Sequence, residues 1–157
     1  MKYDYPINDI DAEEAVLGSI MLGSSVLERS CPKCGEPFSD GPRIEEIRLK
    51  PTDFHREKNG WIYQVCLGLH KAGKPCNPIL VAHELARAHR LEATGGIAYL
   101  GHLIAEVPAS LHIKYYAEIV KDFSERRHLI ERGQQLKERG SDLTRPLPPK
   151  LKKSFDV

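Results

Sequence analysis

Cys31-Pro-Lys-Cys34-Gly35 places two thiols two residues apart with a glycine after the second. That spacing lets both thiolates wrap one tetrahedral zinc while nearby amide N–H groups point at the sulfurs. It is half of a zinc ribbon; the usual second Cys-x-x-Cys, about 15–20 residues on, does not follow. Cys66 and Cys76 can complete the set, so Cys31, Cys34, Cys66 and Cys76 are the candidate metal ligands and zinc the candidate metal. Completion by His55, a site shared between chains and a metal-free turn stand beside that reading. Cys66 also falls on an apolar helical face, where a cysteine serves as a small hydrophobe. A redox role for Cys31 and Cys34 lacks the βαβ setting that thioredoxin-type motifs need.

Other chemistry has less to stand on. Gly73-Lys74 runs into Pro75 instead of Ser or Thr, so the chain has no phosphate-binding loop motif and no nucleotide site is expected. The seven histidines form no ligand pattern; His83 and His89, six apart, do not share a helix face as i, i+4 ligands would. His102 and His112 read as helix residues. Glu13-Glu14 and Glu45-Glu46 suit the first turns of helices, where acidic side chains favour the dipole. No nucleophile, base and orienting group converge, so an enzyme is not expected.

The formal net charge of +1 over 157 residues argues against a whole-molecule grip on nucleic acid, which shows as a basic excess or stripe. Any DNA contact should be weak or indirect; Arg145, Lys150, Lys152 and Lys153 of the tail form a basic cluster that could touch DNA or RNA or simply keep the tail solvated. No apolar run approaches the roughly 18 residues of a membrane span, and no basic-then-apolar leader opens the chain. A cytoplasmic protein is expected.

The elements that must position these residues are helices. Asp11 with Glu14 gives a capping-box-like start, with Ala12, Ala15, Val16, Ser19 and Ile20 on one face. Gly18 within that face predicts a close helix crossing. Residues 29–43 are too rich in turn formers for helix, and weak helical spacing resumes at Ile44, Ile47 and Leu49. Pro51-Thr-Asp53 is expected to cap a helix with Trp61, Ile62, Val65, Cys66 and Leu69 inward, ended by Gly73. Asn77-Pro78 reads as N-cap and first-turn proline of the next, with Leu80, Val81, Glu84 and Leu85. Thr94-Gly95-Gly96 opens another, with Ile97, Leu100, Leu103, Ile104 and Val107 inward and Pro108 as the stop. The longest helix carries Ile113, Tyr116, Ala117, Val120, Phe123 and Ile130. No strand alternation or repeat is visible. The expected fold is all-α: a compact bundle head over 6–108 with the Cys-x-x-Cys insertion near 30–43, a long helix over 110–138, and a flexible Pro-rich basic tail over 139–157.

Five segments, in order, resemble the N-terminal domain of bacterial replicative helicases of the DnaB type. They are Pro6 to Ile20; Leu49-Lys-Pro51-Thr-Asp53-Phe54-His55; Ile62-Tyr63 to Leu69 with Gly73-Lys74-Pro75 and Leu85; Gly95-Gly96-Ile97-Ala98-Tyr99-Leu100 with Leu103 and Pro108; and Tyr116-Ala117-Glu118-Ile119-Val120 with Arg126-Arg127 and Leu129-Ile130. The resemblance covers about Pro6 to Leu136. It implies a helical head plus a two-helix hairpin, hairpins paired into dimers, three dimers in a collar, and a collar that docks primase. Chemistry in that family sits in a separate ATPase domain.

Two features depart from the pattern: the Cys31–Pro42 segment, and the arrival of Gly133, Gly140, Pro146, Pro148 and Pro149 where the second hairpin arm should begin. The expected function is non-catalytic assembly and partner binding in DNA replication, with self, primase or a replicative helicase as partners. The chain would be either a part of a longer helicase or a stand-alone relative. Tyr115, Ile119, Phe123, Arg126, Arg127 and Ile130 form the candidate partner face. The alternative is a small zinc-stabilised nucleic-acid or protein adaptor built on Cys31 and Cys34.

Overall fold

The computed structural model describes residues 7–27, 47–107, 112–142 and 144. Every regular element among them is helical: α1 (Ile10–Leu27), a 3-10 turn (Pro51–Asp53), α2 (Glu57–Lys71), α3 (Pro78–Arg87), α4 (Leu91–Thr94), α5 (Gly96–Ala105) and α6 (Ile113–Ser141). The all-α expectation holds. No described helix is long and apolar enough to cross a membrane. The turn-rich stretch 29–43, Pro108 and the prolines and lysines of the tail lie outside the described residues. Two compact units divide the chain, Met1–Ser124 and Glu125–Val157.

In the first unit, the head, α1 packs on α2 and α5, and α3 packs on α2 and α5. Val16, Leu17, Ile62, Val81, Leu85, Leu100 and Leu103 are wholly buried between them. Gly18 sits at the α1–α5 crossing, where a Cβ would lie 2.0 Å from the Leu103 carbonyl oxygen. Only a glycine lets the two backbones meet there, as its place in the apolar stripe predicts. Ile113, Ala117 and Val120 of α6 join the same core.

Helix boundaries follow local chemistry, with some differences from expectation. Asp9, not Asp11, caps α1: its Oδ1 accepts from Ala12 N at 2.9 Å. Asp11 is exposed and Glu14 faces other elements, so no capping box forms there. Residues 48–50 are not helical, although Ile47 and Leu49 are buried. Helix α2 starts at Glu57, after an extended Phe54 and Arg56, instead of directly from Asp53. It ends in a Schellman pattern, Lys74 N on Leu69 O and Gly73 N on His70 O, both at 2.9 Å, with Gly73 at φ +65°. Asn77 Oδ1 accepts from Leu80 N at 2.9 Å, the expected cap of α3.

Gly95 and Gly96 take φ of +99° and +68°, a corner that side chains with a Cβ rarely adopt and that turns α4 into α5. Ile97, expected inward, is 67% exposed because that corner rotates the first turn of α5 outward. Tyr63, absent from the expected inner face, is buried where Trp61 and Val65 are only partly so.

The second unit is simpler. Beyond Ser124, α6 continues to Ser141, past Lys137 and through both Gly133 and Gly140. Its side chains are exposed apart from a half-buried Arg127. Ser141 Oγ donates to Lys137 O at 2.9 Å, and Thr144 bonds to Asp142, which holds that carboxyl below its usual range.

Candidate functional site

The site begins with two buried carboxylates that fix the helices around it. Glu13 of α1 accepts from the backbone N–H groups of His55 and Arg56, just before α2, and from Asn59 Nδ2 at 2.9 Å. A carboxylate at a helix N-terminus satisfies donors that otherwise have no intrahelical partner. Asn59 Oδ1 in turn lies 2.8 Å from the Tyr99 hydroxyl, which is also 2.9 Å from Glu14 Oε1. One phenol proton serves these two acceptors, so one contact is made at a time. Arg56 reaches Glu14 at 2.9 Å, His102 Nε2 lies 3.5 Å from it, and the Lys58 ammonium sits 3.3 Å from the Tyr99 ring centroid. Burial, then the Glu14 carboxylate, push the Tyr99 phenol far up, so it stays a donor. Burial, with Arg56 nearby, pulls the Lys58 ammonium down. Tyr99 of the Gly-Gly-x-x-Tyr-Leu segment thus ties α5 to α1 and α2.

Asp53 does the equivalent for the start of α6. It accepts from Lys50 N at 2.8 Å, Ser124 Oγ at 2.7 Å and Lys121 Nζ at 3.1 Å. Burial pushes its carboxyl up, but these donors and the Lys121 charge outweigh burial, and its pKa falls below the usual value. Beneath, Tyr63 donates to Leu49 O, and burial pushes its phenol up to about 12.

With α6 held, its outer residues can be placed. In the head, Tyr115 is 67% exposed, Ile119 is exposed and Phe123 is half-buried. In the second unit Arg126 and Ile130 are exposed and Arg127 is half-buried. Leu129 and Leu136 are exposed there too, although neither was among the expected face. The three-four spacing around Ile130 marks one stripe of the helix, and Leu129 lies beside that stripe.

Of the cysteines, Cys66 and Cys76 come together: both are buried, and the Cys66 thiol is hydrogen-bonded with Cys76. That bond, then burial, raise the Cys66 thiol well above its usual range. Cys31 and Cys34 lie outside the described residues, so the four-cysteine set has two described members. Among the described residues no cluster of three or more His, Cys, Asp or Glu could hold a metal ion. Gly68 stands five residues before Gly73-Lys74, the spacing of a phosphate loop apart from Pro75. Gly68 lies within α2 and Gly73 and Lys74 donate to carbonyls of that helix, so their amides are not presented to a phosphate.

The arrangement is that of an all-α module whose buried polar groups set helix geometry and whose outer face offers apolar and cationic side chains. The family model for the DnaB-like helicase N terminal domain matches residues 35–122. The replicative DNA helicase DnaC of Bacillus subtilis is 38% identical over 125 residues, which are 80% of this chain and 24% of that protein. The N-terminal domain of DnaB helicase from Mycobacterium tuberculosis superposes with a TM-score of 0.72 at 33% identity, covering 87% of this chain and 88% of that one. A DnaB-like replicative helicase, solved with its interactions with primase, matches at TM-score 0.65 and 26% identity, covering 83% of this chain and 27% of that one. The chain belongs to the DnaB-like helicase N-terminal domain family. It spans about a quarter of the length of the curated relatives it matches.

Proposed function

We propose that this chain is a non-catalytic assembly and partner-binding module of a replicative DNA helicase, working by self-association and by docking primase or helicase. Family membership and the solved interactions of a structural relative with primase support this reading. The observation that carries it is the set of apolar side chains that α6 leaves in solvent. Tyr115 and Ile119 are exposed in the head, and Leu129, Ile130 and Leu136 in the second unit. Apolar surface of this kind is stabilised by removal from water, at roughly 25 cal/mol per Å². Contact with DNA is indirect in this reading, and the module works in the cytosol.

Light scattering over a range of concentrations, with a binding titration against primase from the same cell, tests the proposal. Ile119→Lys and Leu129→Lys should weaken self-association or primase binding by about tenfold, the scale of one lost apolar anchor. A chain that stays monomeric and ignores both primase and helicase refutes it. The second reading, a zinc-stabilised adaptor, draws on the Cys66–Cys76 contact. Stoichiometric zinc that is lost in both Cys34→Ser and Cys66→Ser would favour it; zinc-free protein of unchanged stability would exclude it.

A further inference from the structure

A groove of about 600 Å³ opens on the head between α2 and α3. Half-buried Trp61 and Val65 make its apolar floor over the core, and Lys74, Arg87 and Arg90 its cationic rim. Arg87 is matched by Glu84 at 3.1 Å. Arg90 instead covers the Trp61 indole, 4.8 Å from the ring centroid. Neither Lys74 nor Arg90 has a carboxylate partner among the described residues. The groove therefore carries two unmatched positive charges beside an aromatic floor.

One further residue shapes it. Gly68 lies in the interior of α2, where glycine costs about 1 kcal/mol against alanine. A Cβ built there meets nothing within 4 Å, so the packing of the head does not require a glycine. Gly68 lines the groove, where any side chain would raise its wall.

We propose that this groove docks an acidic amphipathic segment of a partner protein, with apolar side chains beside Trp61 and Val65 and carboxylates on Lys74 and Arg90. The apolar floor provides affinity, and the two cations select charge and register. A nucleic-acid strand fits less well. Two cations are a small footprint for a phosphate backbone. This surface is independent of the assembly role proposed above.

Display selection on the full chain, using random peptides of about 12 residues (three helical turns), tests it. Trp61 is the single tryptophan, so its emission reports occupancy directly. Selected peptides should be enriched in Asp and Glu with Leu or Phe at three-four spacing, and should shift Trp61 emission saturably. Their affinity should fall about tenfold in Lys74→Glu and in Gly68→Phe. Circular dichroism should be unchanged in Lys74→Glu, which keeps the test valid even where Gly68→Phe perturbs α2. Peptides without acidic enrichment, or affinity unchanged in Lys74→Glu, overturn the proposal. So does an oligo(dT) strand that shifts Trp61 more tightly than every selected peptide at the same salt.

Discussion

In the head, two carboxylates are buried and structural, whereas the glutamates beyond Ser124 face water. Glu13 and Asp53 are 1% and 2% exposed, and each gathers donors from three residues. Glu131 in the second unit is solvated, with only the exposed His128 at 3.8 Å. What separates the two regions is the supply of backbone N–H groups. The segments before α2 and the 3-10 turn present unpaired amides to Glu13 and Asp53, while mid-helix amides of α6 are already bonded within the helix. Polar residues therefore define geometry in one region and leave surface available in the other.

The most severe way to break the contrast is Gly18→Ala. Its methyl would collide with backbone at the α1–α5 crossing, and neither helix can yield without opening the core. A loss of about 3 kcal/mol or more is expected in urea unfolding followed by circular dichroism. Glu13→Leu comes next. It keeps side-chain bulk but strands the His55 and Arg56 amides and Asn59, for a loss of about 2–3 kcal/mol. A loss under about 0.5 kcal/mol, the ordinary surface range, would show that water replaces the carboxylate and that the anchor is not structural.

Asp53 sharpens the comparison through pH. Its folded pKa lies below the ordinary 3.8, so its contribution is complete above that value and disappears as pH falls through the folded pKa. Urea midpoints should therefore drop between neutral pH and pH below about 4, and Asp53→Asn should flatten that limb. An identical acid limb in the variant would assign the loss to other carboxylates.

The sequence shows the head more readily than its anchors. Val16, Leu100 and Leu103 declare themselves by helical spacing, Asn77-Pro78 by cap chemistry, and Gly18 by its place inside an apolar stripe. Glu13 does not, because its partners lie more than forty residues away and an acidic pair near a helix start has a sufficient local explanation in the dipole. Asp53 and Ser124 are seventy-one residues apart for the same reason. Ile97 misleads because its turn is set by two successive positive φ angles, which periodicity does not register. On the candidate face, Tyr115 and Ile119 stand outside the apolar spacing of α6 and are exposed, whereas the Arg90 cover on Trp61 depends on a corner between α3 and α4.

The smallest effect applies the Gly18 substitution to the other region. Gly133 lies inside α6, where a Cβ meets nothing within 4 Å. With no collision, only backbone preference remains, and alanine favours helix over glycine by about 1 kcal/mol. Gly133→Ala should raise helicity at 222 nm and slow amide exchange across residues 129–137, while the urea midpoint of the head stays within error. One chemical change would then have opposite signs in the two units, because tertiary contact decides the first and intrinsic propensity the second. A Gly133→Ala variant that loses helicity would mean that α6 is closely covered at Gly133 in solution by a partner or a second copy, and its exposed side chains would then belong to an interface rather than to solvent.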